Sequence, residues 1–431
     1  MNILIIGSGA REHAIVWKLS MSPAVSSLWV APGNPGTAKE NKTQNVGIAA
    51  TDISALLQFA QDKNINFTIV GPELPLSLGI VDAFQTKGLL CLGPTQAAAQ
   101  LETSKVFAKA LMQKYGIPSA CYAEFSDAET AEAYVKNCTF PQVIKADGLA
   151  SGKGVIIAQN FSEAKAAIHQ LLSEKGEFSS LQANKKLIVE DFLEGFEVSF
   201  IILTDSKTII PLATAQDNKR RNNGNLGPNT GGMGACSPAP HVDSVLEKKI
   251  LDTIITPTLK AMEGENRPYQ GFLFAGLMIS PEGELKVLEF NCRLGDPETE
   301  AILMRLESDF ATLCFHAVGN TLDKIFPLQW NPNPALSLIL AAEQYPEDTV
   351  KCAPITSLPT QIPANAHIFH AGTQQKNEQL TAHGGRIFCI SALGQTLIQA
   401  RELAYALAKD IYWEGGIHYR TDIGENNISK G

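Results

Sequence analysis

Apolar runs of four to six residues, each closed by Gly or Pro and followed by a segment of helical period, recur through the first hundred residues: NILIIG then REHAIVWKL, SLWVAP, ISALLQFAQDK, NFTIVGP, LSLGIVDAFQTK and LLCLGP. Short continuous apolar runs suit strands buried on both faces, and helices between them force parallel pairing. The pattern predicts a small doubly wound parallel sheet over residues 1–102, with ligands at the carboxyl ends of its strands.

At 431 residues the chain exceeds what one compact core organises, so several domains are expected. Hydrophobic residues make up 45% and charged residues 18%, an ordinary globular composition. The net charge of -9 argues against a nucleic-acid surface, because phosphate backbones demand a concentrated basic footprint and KRRNNG at 219–224 is the only dense basic spot. No apolar run reaches the roughly 18 residues of a membrane span, and MNILIIGSGAREH lacks a cleavage site. A cytoplasmic protein without membrane or nucleic-acid partners, acting as a monomer on small molecules, is expected. The eight cysteines are scattered without CxxC spacing, which favours reduced thiols. His367 and His370 in HIFH read as a strand edge or surface rather than a zinc site.

Beyond the first domain, TQAAAQLETSKVFAKALMQKYG reads as one long helix ending at Gly116, a connector over 103–122. Residues 123–195 carry the content of a small α+β lobe, and 196–328 a strand-rich lobe with the hairpin GFLFAGLMISPEGELKVLEFN. PLQWNPNP reads as a linker into a C-terminal α/β unit, 329–431, without an evident chemical motif.

Five glycine-containing loops bear on chemistry. GSGARE at 7–12 follows a strand and opens a helix, as a dinucleotide fingerprint would, but Glu12 stands at the third glycine and VAPGNPG offers no acid for a ribose. What remains is a turn of amide donors suited to an anion. GNPG and GPELP end the next strands and are expected to face the same crevice, bringing Gly9, Arg11, Glu12, Gly33, Asn34, Gly36 and Glu73 toward a substrate. DGLASGKG at 147–154 is not a Walker A loop: three residues separate its glycine from GK, and Gly154 follows Lys153. Strands flank it on both sides, so it predicts a turn folding over phosphates, with Lys145 pointing into the same space. In EFN, alternation puts Glu289 and Asn291 on one face, hard oxygen ligands for Mg²⁺ beside Arg293 and Asp296. GPNTGGMGA at 227–235 reads as a structureless but functional loop.

Taken in order, GSGAREHA, PGNPGT, IVGPE, IKADGLASGKGV, GPNTGGMGA, YQGFLFAGLM and LEFNCRLGDPE resemble the ATP-grasp superfamily, and within it the phosphoribosylamine–glycine ligase family, from Met1 to about Ile423. The resemblance implies an ATP-grasp fold between the doubly wound domain and the C-terminal domain. It implies that Lys105 and Lys145 contact ATP phosphates under a lid of Gly148, Ser151, Gly152, Lys153 and Gly154. Glu190 and the backbone of Asp191, Phe192 and Leu193 correspond to the adenine-reading hinge, with Glu197 at the ribose. Glu289 and Asn291 correspond to the ligands of Mg²⁺ or Mn²⁺, while Leu277 stands near a place where many relatives carry a further carboxylate. The crevice residues Gly9, Arg11, Gly33, Asn34 and Glu73, with Asn229, Thr230 and Gly231, are assigned to phosphoribosylamine, and Asp217, Arg293, Asp296 and Pro297 to the reacting centre.

The implied reaction joins glycine to 5-phosphoribosylamine through glycyl phosphate, giving glycinamide ribonucleotide, ADP and phosphate in purine synthesis. Two departures stand out: Asn218 where the family has His, and Asn225 where it has Asp. Neither can then be an obligatory proton carrier. Competing readings are another ATP-grasp carboxylate–amine ligase and, from GSGARE alone, a nicotinamide-dependent oxidoreductase.

Overall fold

The structure is a computed structural model describing residues 1–149, 154–172, 186–325 and 327–425. The first hundred residues fold as the apolar runs predict. Strands β1 (Asn2–Gly7), β2 (Ser27–Pro32), β3 (Thr43–Asn45), β4 (Phe67–Val70) and β5 (Cys91–Leu92) form a parallel sheet in the order β3-β2-β1-β4-β5. Helix α1 (Ala10–Ser20) follows the turn after β1. The order reverses beside β1, so the carboxyl ends of β1 and β4 open the crevice where Arg11 and Glu73 sit.

The long helix expected over 95–116 is broken. Gln100–Thr103 and Lys105–Tyr115 are separate helices, because Ser104 is extended (φ -134°, ψ 107°) and its Oγ accepts the Phe107 N–H at 3.1 Å. An N-capping serine competes for the backbone and restarts the helix. The break is useful: Asp147 takes the Val106 N–H at 3.2 Å, fastening the glycine-loop strand to the new helix start.

Four antiparallel strands make the small lobe, in the order Tyr122–Phe125, Leu187–Asp191, Gln142–Ala146, Val155–Ala158. The lobe has its own core of Ala131, Val135, Ile144, Ile168 and Val189. The predicted hairpin forms, Gly271–Ile279 against Leu285–Asn291, within a sheet that also holds Phe196–Thr204 and Ile209–Pro211.

The C-terminal segment is not a self-contained α/β unit. Strand Ala335–Ala342 pairs antiparallel with Arg386–Leu393 on one side and with Gly234–Ser237 on the other, and Gln216–Asp217 lies beyond that. One sheet therefore spans residue 329. The reason lies in the glycines of GPNTGGMGA, which was expected to be structureless. Leu226–Asn229 pairs with Arg220–Asn222, and Gly234 lies so close to the Ser337 carbonyl that a Cβ would not fit.

Candidate active site

A cavity of about 910 Å³ lies where the small lobe, the large lobe, the first domain and the C-terminal segment meet. At one end Lys105 and Lys145 converge. Lys105 opens the restarted helix, donates to the Gly148 carbonyl at 2.7 Å, and has its pKa lowered by burial. Lys145 reaches Glu190 at 3.0 Å and the Leu288 carbonyl at 3.2 Å. Gly148, Gly154, Asp191, Phe192, Leu193 and Glu197 line the same space, and Lys145 pairs with Val155 across the loop, so the flanking strands turn as predicted. Ser151, Gly152 and Lys153 lie outside the described residues.

The Glu190 carboxylate is largely consumed: Lys145 and Lys109 both meet Oε2, at 3.0 and 3.1 Å. Its Oε1 is buried without a hydrogen bond, an acceptor left for a donor in the cavity.

Deeper in, Glu289 and Asn291 share one face of Leu285–Asn291 and both line the cavity. Asn291 Nδ2 donates to Glu102 Oε1 at 3.2 Å and to the Phe290 carbonyl, which leaves the amide oxygen as the atom able to ligate a cation. Lys219 stands 3.2 Å from Glu289 and 2.5 Å from Glu197, and its charge holds the Glu289 pKa down at about 2. Burial alone would lower the Lys219 pKa, but Glu197 and Glu289 hold it well above the usual lysine value. Two hard oxygen donors, one a charged carboxylate, fit Mg²⁺ or Mn²⁺. Leu277 is fully buried opposite Val287, so no ligand comes from that position.

Arg293 is clamped by Glu73 of the first domain at 2.8 Å and by Glu102 at 3.0 Å. The two acids diverge: burial raises Glu102 to about 7, whereas in Glu73 the charges of Arg293 and Arg11 overcome burial and bring it to about 2. Asp217 also lines the cavity, its pKa raised well above the usual value by burial and by the charge of Glu298. Asp296 is held at 3.0 Å by Arg386, which also donates to the Gly231 carbonyl at 2.6 Å. Asn229, Thr230 and Gly231 form the neighbouring wall.

Several expected residues do not line the cavity. Gly9 spends its N–H on Glu12 Oε2 at 2.7 Å, and Glu12 Oε1 takes Arg11 Nε at 2.6 Å. The carboxylate of Glu12, buried at 2% exposure, thus occupies the anion seat at the start of α1; a Cβ at Gly7, Gly9 or Gly71 would run into it. Glu12 is therefore a structural anion rather than a substrate contact. Asn34 is likewise buried and satisfied, donating to the Ser8 and His370 carbonyls and accepting from Gly36 and Thr37 N–H. Gly33 and Gly36 shape that turn, and Pro297 packs beneath Gly232.

Four residues escaped the sequence reading: Glu102, Lys219, Tyr345 and Arg386. Tyr345 accepts the Gly231 N–H at 2.9 Å, so the C-terminal segment does contribute to the site. Only the KRR run hinted at Lys219; the others sit in unremarkable local sequence.

Of the two departures, Asn218 lines the cavity and donates through Nδ2 to the Gly234 carbonyl at 3.2 Å. Asn225 has φ 57°, a left-handed conformation Asn tolerates well, and accepts from Arg420 at 2.8 Å.

Among the described residues, His13, Glu40 and His367 form one cluster of metal-ligand type. The His370 N–H donates to His13 Nδ1 at 2.8 Å, so the ring proton sits on Nε2 and points at Glu40, 3.1 Å away. A cation on Nε2 would force an N–H against an N–H, and the cluster is a hydrogen-bonded clasp. His367 and His370 thus lie on the edge strand Ala366–His370, as expected, and pack there against α1. Among the described residues no helix is long and apolar enough to cross a membrane.

Comparisons with known proteins follow the same architecture. The phosphoribosylglycinamide synthetase N domain matches residues 1–102, its ATP-grasp (A) domain 103–299 and its C domain 335–426. The chain is 49% identical over 430 residues to phosphoribosylamine–glycine ligase of Vibrio cholerae, covering 100% of this chain and 99% of the relative. It is also 49% identical over 432 residues to that of Yersinia pestis, covering 100% of both. The crystal structure of phosphoribosylamine–glycine ligase from Thermotoga maritima superposes with TM-score 0.83 at 32% identity, covering 98% of this chain and 100% of that one. A biotin carboxylase from Campylobacter jejuni shares the fold alone, with TM-score 0.74 at 16% identity over 97% and 92% of the two chains. With all three family domains matched in order and near-half identity along its length, the chain belongs to the phosphoribosylglycinamide synthetase, or phosphoribosylamine–glycine ligase, family.

Proposed function

We propose that the protein ligates glycine to 5-phosphoribosylamine at the expense of ATP, a step of purine synthesis. The observation that carries this reading is the cavity itself, where Lys105 and Lys145, the Glu289 and Asn291 pair, and Arg293 face one space. The family's relatives bear the corresponding name.

A carboxylate is a poor electrophile, which dictates two steps. A glycine oxygen attacks the γ-phosphorus of ATP, forming glycyl phosphate as the bond to ADP breaks. The amine of phosphoribosylamine then attacks the acyl carbon, phosphate leaves, and the amine loses a proton. No side-chain nucleophile is required, so catalysis is positioning and charge neutralisation.

Lys105 and Lys145 are assigned to the phosphate oxygens, and the free Glu190 Oε1 with the 191–193 backbone to adenine. A divalent cation held by Glu289 and Asn291 would neutralise phosphate charge when bound. Arg293, fixed between Glu73 and Glu102, is aimed at charge developing on the transferring group. Asp217, with its raised pKa beside Glu298, is suited to take the amine proton near neutral pH. Asn229 to Gly231, Arg11 and Glu73 are assigned to phosphoribosylamine.

The test is ADP formation with freshly made phosphoribosylamine, glycine and Mg²⁺, each omitted in turn. ADP is expected only with all present; release that ignores glycine or phosphoribosylamine overturns the ligase reading.

A further inference from the structure

Lys219 has no role in the reaction as derived, yet it contacts the carboxylate that the cation needs. Its Nζ lies 3.2 Å from Glu289 Oε1 and 2.5 Å from Glu197 Oε1. Among the described residues, no other cationic side chain is in ion-pair contact with either acid: Lys105 is bonded to the Gly148 carbonyl, and Lys145 to Glu190 and the Leu288 carbonyl.

The Lys219 backbone is fixed, its carbonyl accepting both the N–H and the Oγ1 of Thr230, at 2.8 and 2.9 Å. Only the four-carbon stem is left to move, and a lysine ammonium is a point charge that can change partners. Glu197 Oε1 meets the same ammonium at 2.5 Å, so two acids share one mobile charge.

A cation such as Mg²⁺ binds carboxylate oxygen at about 2.0–2.1 Å. An ammonium in contact with the same carboxylate then stands within a few ångströms of a divalent charge, and the two repel. Phosphate oxygens in the cavity would give the ammonium another acceptor and the metal further ligands.

We infer that Lys219 is a resident counter-cation that keeps the Glu289 site closed to a divalent metal until nucleotide phosphates draw its ammonium away. The inference rests on the reading of Glu289 as a cation ligand. It makes metal and ATP load together rather than in sequence, and it spares the protein a cluster of unneutralised acids when the cavity is empty.

The test is Mn²⁺ binding to the full-length protein without nucleotide, followed by electron paramagnetic resonance of free Mn²⁺. Lys219→Met is expected to bind Mn²⁺ roughly tenfold or more tighter than the wild type. Lys219→Arg should stay near wild type, because it keeps the charge. Lys145→Met, which removes a charge acting on Glu289 only through space, should gain clearly less. Should Lys219→Met fail to fold, as read by circular dichroism, Lys219→Gln takes its place under the same criteria. Unchanged or weaker Mn²⁺ binding on loss of the ammonium overturns the inference, as does an equal gain in Lys145→Met. Glu289→Gln separates the two readings: if it abolishes Mn²⁺ binding, the ligand assignment stands even where the Lys219 idea fails, and if it does not, both fall.

Discussion

The turn after β1 and the wall of the large cavity are built from the same materials, glycine-exposed amides, buried carboxylates and cationic side chains, but they dispose of charge in opposite ways. At the turn, Glu12 meets the Gly9 N–H and Arg11, so the charge is satisfied within the chain. In the cavity, Lys105 donates only to the Gly148 carbonyl, Lys145 divides itself between Glu190 and the Leu288 carbonyl, and Glu190 Oε1 is left without a hydrogen-bond partner. A glycine turn with a ligand-binding sequence signal can thus be closed by the chain's own side chain.

Removing an open charge should damage function, and removing a closed one should damage the fold. The largest effect is expected from Lys105→Met: a fall of about 10²–10³ in kcat/KM for ATP, with urea midpoint little changed, since its one described hydrogen bond is to Gly148. A Lys105→Met variant that unfolds early while keeping its kinetics would erase the distinction.

Glu12→Ala is the converse. Breaking a buried pair should cost about 3 kcal/mol of stability, read by urea unfolding, with KM for phosphoribosylamine near wild type. A stable Glu12→Ala protein with a poor KM for phosphoribosylamine would make Glu12 a substrate contact after all.

The His13–Glu40–His367 clasp is closed charge of a third kind, sensitive to protons. Burial alone would raise the Glu40 pKa, but hydrogen bonds from His13 and His367 bring it from the usual 4.5 to about 2. A depressed carboxylate contributes stability that is complete above its unfolded value and is lost as pH falls through the folded one. Glu40→Gln should therefore flatten the loss of stability between about pH 4.5 and about 2, measured by denaturation at each pH. An acid limb identical to wild type would deny the clasp its charge.

The smallest change is expected at Asn218. A general acid or base there would contribute about 10²–10⁴-fold, so Asn218→His should leave turnover well within tenfold of wild type. A gain of the larger size would restore position 218 to the proton path.

How far the sequence could be read follows from the range of the interactions. The parallel sheet, the hairpin and the Glu289–Asn291 face depend on local periodicity, and all appear as the pattern predicts. The break at Ser104 was locally written, since serine is a capping residue, but an unbroken apolar period hid it. Glu12 could be read as a missing glycine, though not as the anion that fills the seat, because that depends on where Gly71 comes to lie. Glu102, Tyr345 and Arg386 act over separations of more than a hundred residues or from a segment with no motif, and no local signal records such partners. Lys219 lies in a basic run weighed only as too short for a nucleic-acid footprint, and the acids it meets come from two separate strands.

The sheet shared across residue 329 bears on how such a chain can be cut or recombined. Gly234–Ser237 is hydrogen-bonded to Ala335–Ala342. A fragment ending at the linker would carry that strand as a bare edge, a template for pairing with other copies. The Arg386 and Tyr345 contacts that hold Gly231 would leave with the missing piece. The last hundred residues are thus one wall of the reaction chamber, and an N-terminal fragment of this chain should aggregate before it is found to be inactive.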